Sequence, residues 1–144
     1  MAKDVIIACD FNSKEEVMNF LKGFNEPIYV KIGMELTYAC GLDIVKDVRA
    51  LGHHIFLDLK LHDIPNTVGE GLCSLMRLGA DIVNVHASGG FTMMKTAAEK
   101  LHALAEKQGV PCPKIIAVTI LTSINEENIF YIPSHPLCRS LHRM

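Results

Sequence analysis

The strongest constraint on the fold is a regular alternation of short apolar runs with longer segments of helical periodicity. The apolar runs lie near residues 5–9, 28–32, 54–59, 81–86 and 114–120. Short runs separated by helix-length segments are typical of successive βα units around a parallel sheet. Two α/β architectures fit this pattern: an incomplete (β/α)8 barrel and a small doubly wound sheet.

The segments between the runs carry helix signals. Ser13 with Glu16 three residues later forms a capping box, and Asn66 is predicted to cap the helix after the third strand. Gly109 and Pro111 are predicted to end the last helix. Three apolar stripes at helical spacing are predicted to face the core: Val17, Phe20, Leu21 and Phe24; Val68, Leu72, Leu75, Met76 and Gly79; and Met94, Ala97, Leu101, Leu104 and Ala105.

Polar residues decide between the two architectures. Asp10, Lys31, Asp58 with Lys60, and His86 each lie where an apolar run ends. The carboxyl ends of barrel strands form the rim on which barrel enzymes place their chemistry. No Gly-x-Gly-x-x-Gly follows the first strand to favour a dinucleotide site. We therefore predict a partial TIM (β/α)8 barrel, comprising about the first five βα units.

Composition narrows the class of protein. The 144 residues are 49% hydrophobic, with a mean hydropathy of +0.24, which is enough apolar material for one core. A net charge of -2, without a basic block, argues against nucleic-acid and membrane partners. Five cysteines without a Cys-x-x-Cys pair indicate neither a disulfide framework nor a zinc knuckle. The first apolar run is too short for a signal peptide, so we expect a cytoplasmic protein.

One strand carries two opposite charges. Alternation along a strand predicts Phe56, Asp58 and Lys60 on one face and Leu57, Leu59 and Leu61 on the other. An Asp-x-Lys triplet alone is more often a surface ion pair of little energetic value. The longer string to which it belongs is far more specific: Asp58-Leu59-Lys60-Leu61-His62-Asp63-Ile64-Pro65-Asn66-Thr67.

This ten-residue string resembles the signature of the orotidine 5'-monophosphate decarboxylase family. Four other segments are similar to that family's first, second, fourth and fifth strand ends, in the family's order. They are Val5 to Asp10, Tyr29 to Leu36, Val83 to Gly90 and Ala117 to Ser123. The resemblance identifies residues 1–127 as the N-terminal part of such a barrel, and the usual second half of the family's domain has no counterpart here.

The resemblance implies a carboxy-lyase that makes uridine monophosphate in pyrimidine biosynthesis. In that family the reaction leaves a localised carbanion at C6 of the pyrimidine, and Lys60 matches the ammonium that stabilises and protonates it. Lys31, Asp58 and Asp63 match the rest of an alternating charge network, in which Asp63 reaches into the neighbouring subunit of a homodimer. The resemblance implies no metal, flavin or pyridoxal cofactor.

The family pattern also implies a set of substrate-binding residues. Asp10 and Thr67 match positions that hold the ribose hydroxyls, and Thr122 matches a position over the pyrimidine. Asn66 lies in the same string and joins this set, together with Lys31, Asp58 and Lys60. Taken singly, Asp10, Thr67 and Thr122 have structural explanations that are about as good. His62 and His86 are interpreted as structural histidines, because their spacing does not form a complete metal site.

Two alternatives stay open. A phosphosugar lyase of the same superfamily, such as a keto-gulonate phosphate decarboxylase or hexulose phosphate synthase, shares Asp-x-Lys-x-x-Asp but binds magnesium. Phosphosugar lyases carry an additional acid at the end of a strand, and no such residue is found in this sequence. The segment from Ile64 to Thr67 also favours the orotidine 5'-monophosphate decarboxylase family. Ribulose phosphate epimerase lacks the central lysine. The second alternative is a non-catalytic half-barrel that binds a nucleotide or pairs with another subunit.

The last part of the chain fits the pattern poorly. Ser123 and Glu126 predict a helix start, but Pro133 and Pro136 forbid its interior, so residues 128–144 are predicted to form an aberrant or unstructured tail. The family's phosphate-holding glutamine and arginine come from the half that has no counterpart here. A five-stranded arc also leaves two unpaired edges and an uncovered apolar face. We expect this chain alone to be poorly folded, aggregated or inactive.

Overall fold

A computed structural model describes residues 5–125. Within them, five parallel strands form one sheet whose spatial order follows the chain order. The strands are β1 (Ile6–Ala8), β2 (Tyr29–Gly33), β3 (His54–Leu61), β4 (Ile82–His86) and β5 (Lys114–Val118). A doubly wound sheet reverses its strand order at a switch point, whereas barrel strands are added in sequence. The predicted partial barrel is therefore confirmed.

Five α-helices connect the strands or follow them. They are α1 (Lys14–Leu21), α2 (Met34–Cys40), α3 (Asp43–Ala50), α4 (Pro65–Arg77) and α5 (Gly90–Gln108). The hydroxyl of Ser13 accepts a hydrogen bond from the Glu16 N–H at 3.2 Å, which confirms the predicted cap of α1. Gly109, with φ of 64°, ends α5 in the left-handed conformation, as predicted.

The predicted cap of α4 is wrong. Ile64 is the N-cap of α4, and Pro65 occupies the first helical position. Proline is favoured at the first helical position because its φ is already helical and because it has no N–H that would be left unpaired. Asn66 therefore lies inside the first turn, where its side-chain oxygen accepts a hydrogen bond from Nζ of Lys100 at 2.7 Å.

The core lies between the helices and the outer face of the sheet. Val30, Ile32, Ile55 and Leu57 alternate toward this side of β2 and β3 and are fully buried. The helices cover them with the buried side chains Val17, Leu36, Val48, Leu72, Met93 and Leu101. The predicted helix stripes are largely confirmed, but α5 buries Met93 rather than Met94, and Phe20 stays 40% exposed.

The inner face of the sheet is more open. Ile6 on β1 and Ile116 on β5 are 42% and 43% exposed, although both are β-branched strand residues. Phe56 on β3 is half-buried on the same face. In residues 5–125, no helix has the length and apolarity to cross a membrane. Ser123 lies in a turn, and residues 124–125 are not helical; the continuation of the predicted helix from Glu126 and the tail predicted for 128–144 lie outside the described residues.

Candidate active site

Four charged side chains meet at the carboxyl end of the sheet. Asp10 Oδ1 lies 3.1 Å from Lys31 Nζ, which in turn lies 3.6 Å from Asp58 Oδ2. The other oxygen of Asp58, Oδ1, lies 2.6 Å from Lys60 Nζ. Acid and base alternate through this cluster, so its formal charges cancel and both ammonium groups have a carboxylate counter-ion.

Strand register brings these groups together. Gly33 on β2 pairs with Asp58 on β3, two residues beyond the pair of Lys31 with Phe56. A Cβ at Gly33 would lie 3.3 Å from Nζ of Lys31 and 3.6 Å from Oδ1 of Asp10. That distance to Nζ is tighter than an ordinary van der Waals contact. The absence of a side chain at Gly33 therefore leaves room for the ion pair between Asp10 and Lys31.

The catalytic lysine predicted from the sequence sits in an unusual backbone conformation. Lys60 has a φ of 51°, and it is the one non-glycine residue between 5 and 125 with a positive φ. The β3–β4 register shifts there, since Leu57 pairs with Val83 but Leu61 pairs with Val85. The strict alternation predicted from Phe56 to Leu61 is thus interrupted by two extra residues on β3. Asp58 and Lys60 nevertheless meet, as predicted.

Asn84 connects the two charged residues of β3 and was not singled out from the sequence. Its side chain is almost fully buried, and its Nδ2 donates to Asp58 Oδ1 at 2.6 Å. Its Oδ1 accepts the backbone N–H of Lys60 at 2.7 Å. The signal that could have revealed it is a polar residue within the apolar strand β4, on the same alternate face as His86.

The surroundings of Asp58 keep it ionised. Its partial burial raises the pKa, but hydrogen bonds from Lys60 and Asn84 and the charges of Lys60 and Lys31 outweigh that effect. The net pKa of Asp58 is therefore below its usual value. At neutral pH this carboxylate is a permanent negative charge that holds the Lys60 ammonium.

The other predicted site residues lie outside this cluster. Asp63 is exposed, and its Oδ1 accepts the Ile64 N–H at 2.6 Å. Asn66 and Thr67 lie in the exposed first turn of α4, and Thr122 lies in an exposed turn after β5. Within the described part of the chain, Asp10 makes the cluster neutral, whereas Asp63 is predicted to supply its charge to the site of a neighbouring subunit. The roles of Asp63, Asn66, Thr67 and Thr122 stay predictions.

Two histidines flank the cluster on its β4 side. The rings of His62 and His86 lie 5.6 Å apart. The pKa of His86 is lowered by burial and also by the charges of His62 and Lys60. His86 is therefore neutral at physiological pH and adds no third positive charge beside Lys60.

Comparison with known proteins agrees with this geometry. The model of the Orotidine 5'-phosphate decarboxylase / HUMPS family matches residues 3–132. Orotidine 5'-phosphate decarboxylase from Lysinibacillus sphaericus is 54% identical over 124 residues, which cover 86% of this chain and 53% of that protein. The Staphylococcus haemolyticus enzyme of the same name is 54% identical over 122 residues, with coverages of 85% and 51%. The chain spans about half the length of the curated relatives it matches.

Solved structures give the same result. The crystal structure of orotidine 5'-phosphate decarboxylase from Lactobacillus acidophilus superposes with a TM-score of 0.77 at 42% identity, covering 88% of this chain and 57% of that one. An uncharacterized conserved protein from Geobacillus kaustophilus superposes with a TM-score of 0.82 at 48% identity, with coverages of 95% and 65%. Fold, charge cluster and sequence together establish that this chain belongs to the orotidine 5'-phosphate decarboxylase / HUMPS family.

Proposed function

We propose that this chain provides the decarboxylating part of an orotidine 5'-phosphate decarboxylase, which converts orotidine monophosphate to uridine monophosphate and CO2. The observation that carries the proposal is the alternating cluster of Asp10, Lys31, Asp58 and Lys60 at the rim of the barrel strands. The curated relatives matched at 54% identity bear the decarboxylase name, which supports the same activity over that of a phosphosugar lyase. The reaction belongs to pyrimidine biosynthesis in the cytoplasm and uses neither a metal nor an organic cofactor.

The chemistry assigned to Lys60 follows from its charge and position. The bond between C6 and the carboxylate breaks, CO2 leaves, and the electron pair remains on C6. The Lys60 ammonium stabilises that charge and transfers a proton to C6, which gives uridine monophosphate and a neutral amine. The amine regains its proton from solvent before the next turnover. Lys60 is thus both the electrostatic stabiliser and the proton donor.

Asp58 acts in this proposal mainly by holding Lys60. Repulsion between Asp58 and a substrate carboxylate at about 4 Å, with an effective dielectric near 20, is worth about 4 kcal/mol, or roughly three powers of ten in rate. Both oxygens of Asp58 already face positive or hydrogen-bonding groups, with Lys60 and Asn84 on one and Lys31 on the other. Its charge is therefore largely compensated, and stabilisation by Lys60 is the larger contribution.

The remaining assignments concern substrate and subunit contacts. Asp10 and Thr67 bind the ribose hydroxyls, Asn66 joins the same set, and Thr122 lies over the pyrimidine. Asp63 reaches the site of a partner subunit in a homodimer, which its exposure and its separation from the charge cluster support. The proposal assigns the phosphate to the glutamine and arginine that the family supplies from the second half of its barrel.

The direct test is reconstitution. The full 144-residue chain is co-expressed with the C-terminal half of the Lysinibacillus sphaericus relative, and the purified complex is called the reconstituted enzyme below. We expect it to form uridine monophosphate from orotidine monophosphate, with the same rate before and after treatment with a chelator. A folded complex without turnover, or two chains that never associate, would contradict the proposal. Loss of activity on chelation, restored by magnesium, would favour the phosphosugar lyase.

A further inference from the structure

Asn84 is a buried polar residue that contacts the charge cluster but has no role in the proposed mechanism. An amide side chain carries a donor and an acceptor on one rigid plane. Here Nδ2 meets Oδ1 of Asp58 and Oδ1 meets the N–H of Lys60, so both ends contact the charged pair of β3. A leucine, whose side chain has the same number and branching of heavy atoms, would need no hydrogen-bond partners in this strand. The polar residue at this position therefore calls for a reason beyond packing.

Its two hydrogen bonds act on different parts of the pair. The bond to Lys60 holds a backbone that lies in the left-handed region, where a side-chain-bearing residue is disfavoured by about 1–2 kcal/mol. The bond to Asp58 occupies the oxygen that also binds the Lys60 ammonium. One residue of β4 thus fixes both the main chain and the counter-ion of Lys60.

We infer that Asn84 is a positioning residue for decarboxylation, which sets the place of the Lys60 ammonium through the Lys60 backbone and the Asp58 carboxylate. Asn84 itself does not act on the substrate in this inference. The part concerning turnover rests on the proposed function, whereas the part concerning the Lys60 backbone does not.

The first experiment needs no activity. Hydrogen exchange of the Lys60 amide is measured in the reconstituted enzyme and in its Asn84→Leu, Asn84→Asp and Thr37→Val variants. We expect protection in the parent and in Asn84→Asp, which keeps an acceptor oxygen, and its loss in Asn84→Leu. Thr37 is the matched control, because its buried hydroxyl on α2 has no hydrogen-bond partner in the described residues. Equal protection in all four proteins would overturn the inference about the backbone.

The second experiment uses the reconstituted enzyme. We expect Asn84→Leu to lower kcat by about tenfold to a hundredfold, as for a lost hydrogen bond to a charged group, and to leave KM within about threefold. Thr37→Val is expected to leave both constants unchanged. A parent enzyme without turnover contradicts the proposed function, whereas an active parent with a fully active Asn84→Leu variant contradicts only the role of Asn84.

The pH profile separates positioning from a general loss of packing. The groups that face Asp58 are Lys31 from β2, Lys60 from β3 and Asn84 from β4, with Asp10 behind Lys31. Asn84→Asp removes a donor to Asp58 and adds a like charge beside it. We expect the acid limb of its kcat profile to move to higher pH. An unmoved limb, with kcat lowered equally at every pH, would show that the residue only packs.

Discussion

Lys31 on β2 and Asp58 on β3 face each other across 3.6 Å, and this contact joins two separate ion pairs into one cluster. Without it, Asp10 with Lys31 and Asp58 with Lys60 would be two local pairs on neighbouring strands. With it, the removal of any one charge takes a counter-ion away from at least one partly buried charge of opposite sign. Substitutions at the cluster should therefore change the electrostatics of all its members.

We expect Lys60→Ala to abolish turnover of the reconstituted enzyme while leaving binding of uridine monophosphate measurable. The substitution removes the group to which we assign stabilisation and protonation of C6, but it leaves the positions proposed to bind the ribose in place. Steady-state kinetics and calorimetric titration check the two parts. Lys95→Ala is the control, because Lys95 pairs with Glu99 on the exposed surface of α5. Near-normal turnover by Lys60→Ala would refute the role given to this lysine.

The low pKa of Asp58 predicts that part of the free energy of unfolding depends on pH. Its folded-state pKa lies below the usual value of 3.8, so the unfolded chain binds more protons as the pH falls toward and below that value. The stabilisation is complete above about pH 4 and is lost as the pH falls through the folded-state pKa. The Asp58→Asn variant lacks this pH-dependent stabilisation. The substitution also removes the carboxylate partner of Lys60 and Lys31.

Thermal melts of the reconstituted enzyme at fixed concentration, from neutral pH down to about pH 3, measure this component. We expect Asp58→Asn to be less stable at neutral pH by about 1–3 kcal/mol. The gap between variant and parent should narrow as the pH drops. Asp43→Asn is the control, because the pKa of Asp43 is also lowered, by its hydrogen bond with Lys46, but that pair lies on the exposed surface of α3. A gap that stays constant with pH would contradict the assignment.

Gly33→Ala should impair activity more than stability. The new Cβ would lie 3.3 Å from Nζ of Lys31, the mobile end of a long side chain that can move by a few tenths of an ångström. We expect the melting temperature to change little and kcat to fall roughly tenfold, because small misplacements of catalytic groups are costly. Gly23→Ala is the control, since its Cβ meets the Phe20 carbonyl oxygen at the same 3.3 Å, in the turn after α1. Equal activities of both variants would refute the prediction.

A mixing experiment tests the partner-subunit role of Asp63. We expect Lys60→Ala and Asp63→Asn forms of the reconstituted enzyme each to be nearly inactive, because each lacks one member of every site. In a mixed dimer, one site receives an intact Lys60 from one subunit and an intact Asp63 from the other. Random exchange should therefore restore about a quarter of the parental sites. A mixture that stays inactive after exchange would contradict this role.

The open inner face predicts how the chain behaves without its complement. Ile6 and Ile116 expose apolar surface at the two edge strands. We expect the 144-residue chain alone to bind a hydrophobic dye and to self-associate, and the reconstituted enzyme to do neither. Dye fluorescence and light scattering measure both properties. A monomeric chain that melts cooperatively and decarboxylates orotidine monophosphate would contradict the expectation.

The sequence was sufficient for the strands and for the pair on β3. Apolar runs of strand length are local signals, and the spacing of Asp58 and Lys60 predicted their contact, although the strand alternation behind that prediction is interrupted at Lys60. The role of Asn84 was not predictable in this way, because it depends on a register shift between β3 and β4 that no local pattern specifies. Asp10 was predicted at the same rim, but its ion pair with Lys31 depends on the pairing of β1 with β2, which no local pattern specifies. The cap of α4 was mispredicted because Pro65 outweighs Asn66 as a start signal.

The register shift at Lys60 also determines how β3 would respond to a deletion. Between Leu57 and Leu61, β3 uses four residue steps where β4 uses two. The two surplus residues do not lengthen the strand, because Leu61 pairs with β4 again; they leave the ladder as a bulge that contains the left-handed Lys60 backbone. A deletion of two residues that restored a continuous ladder would straighten β3 and remove the bend that sets the direction of the Lys60 side chain.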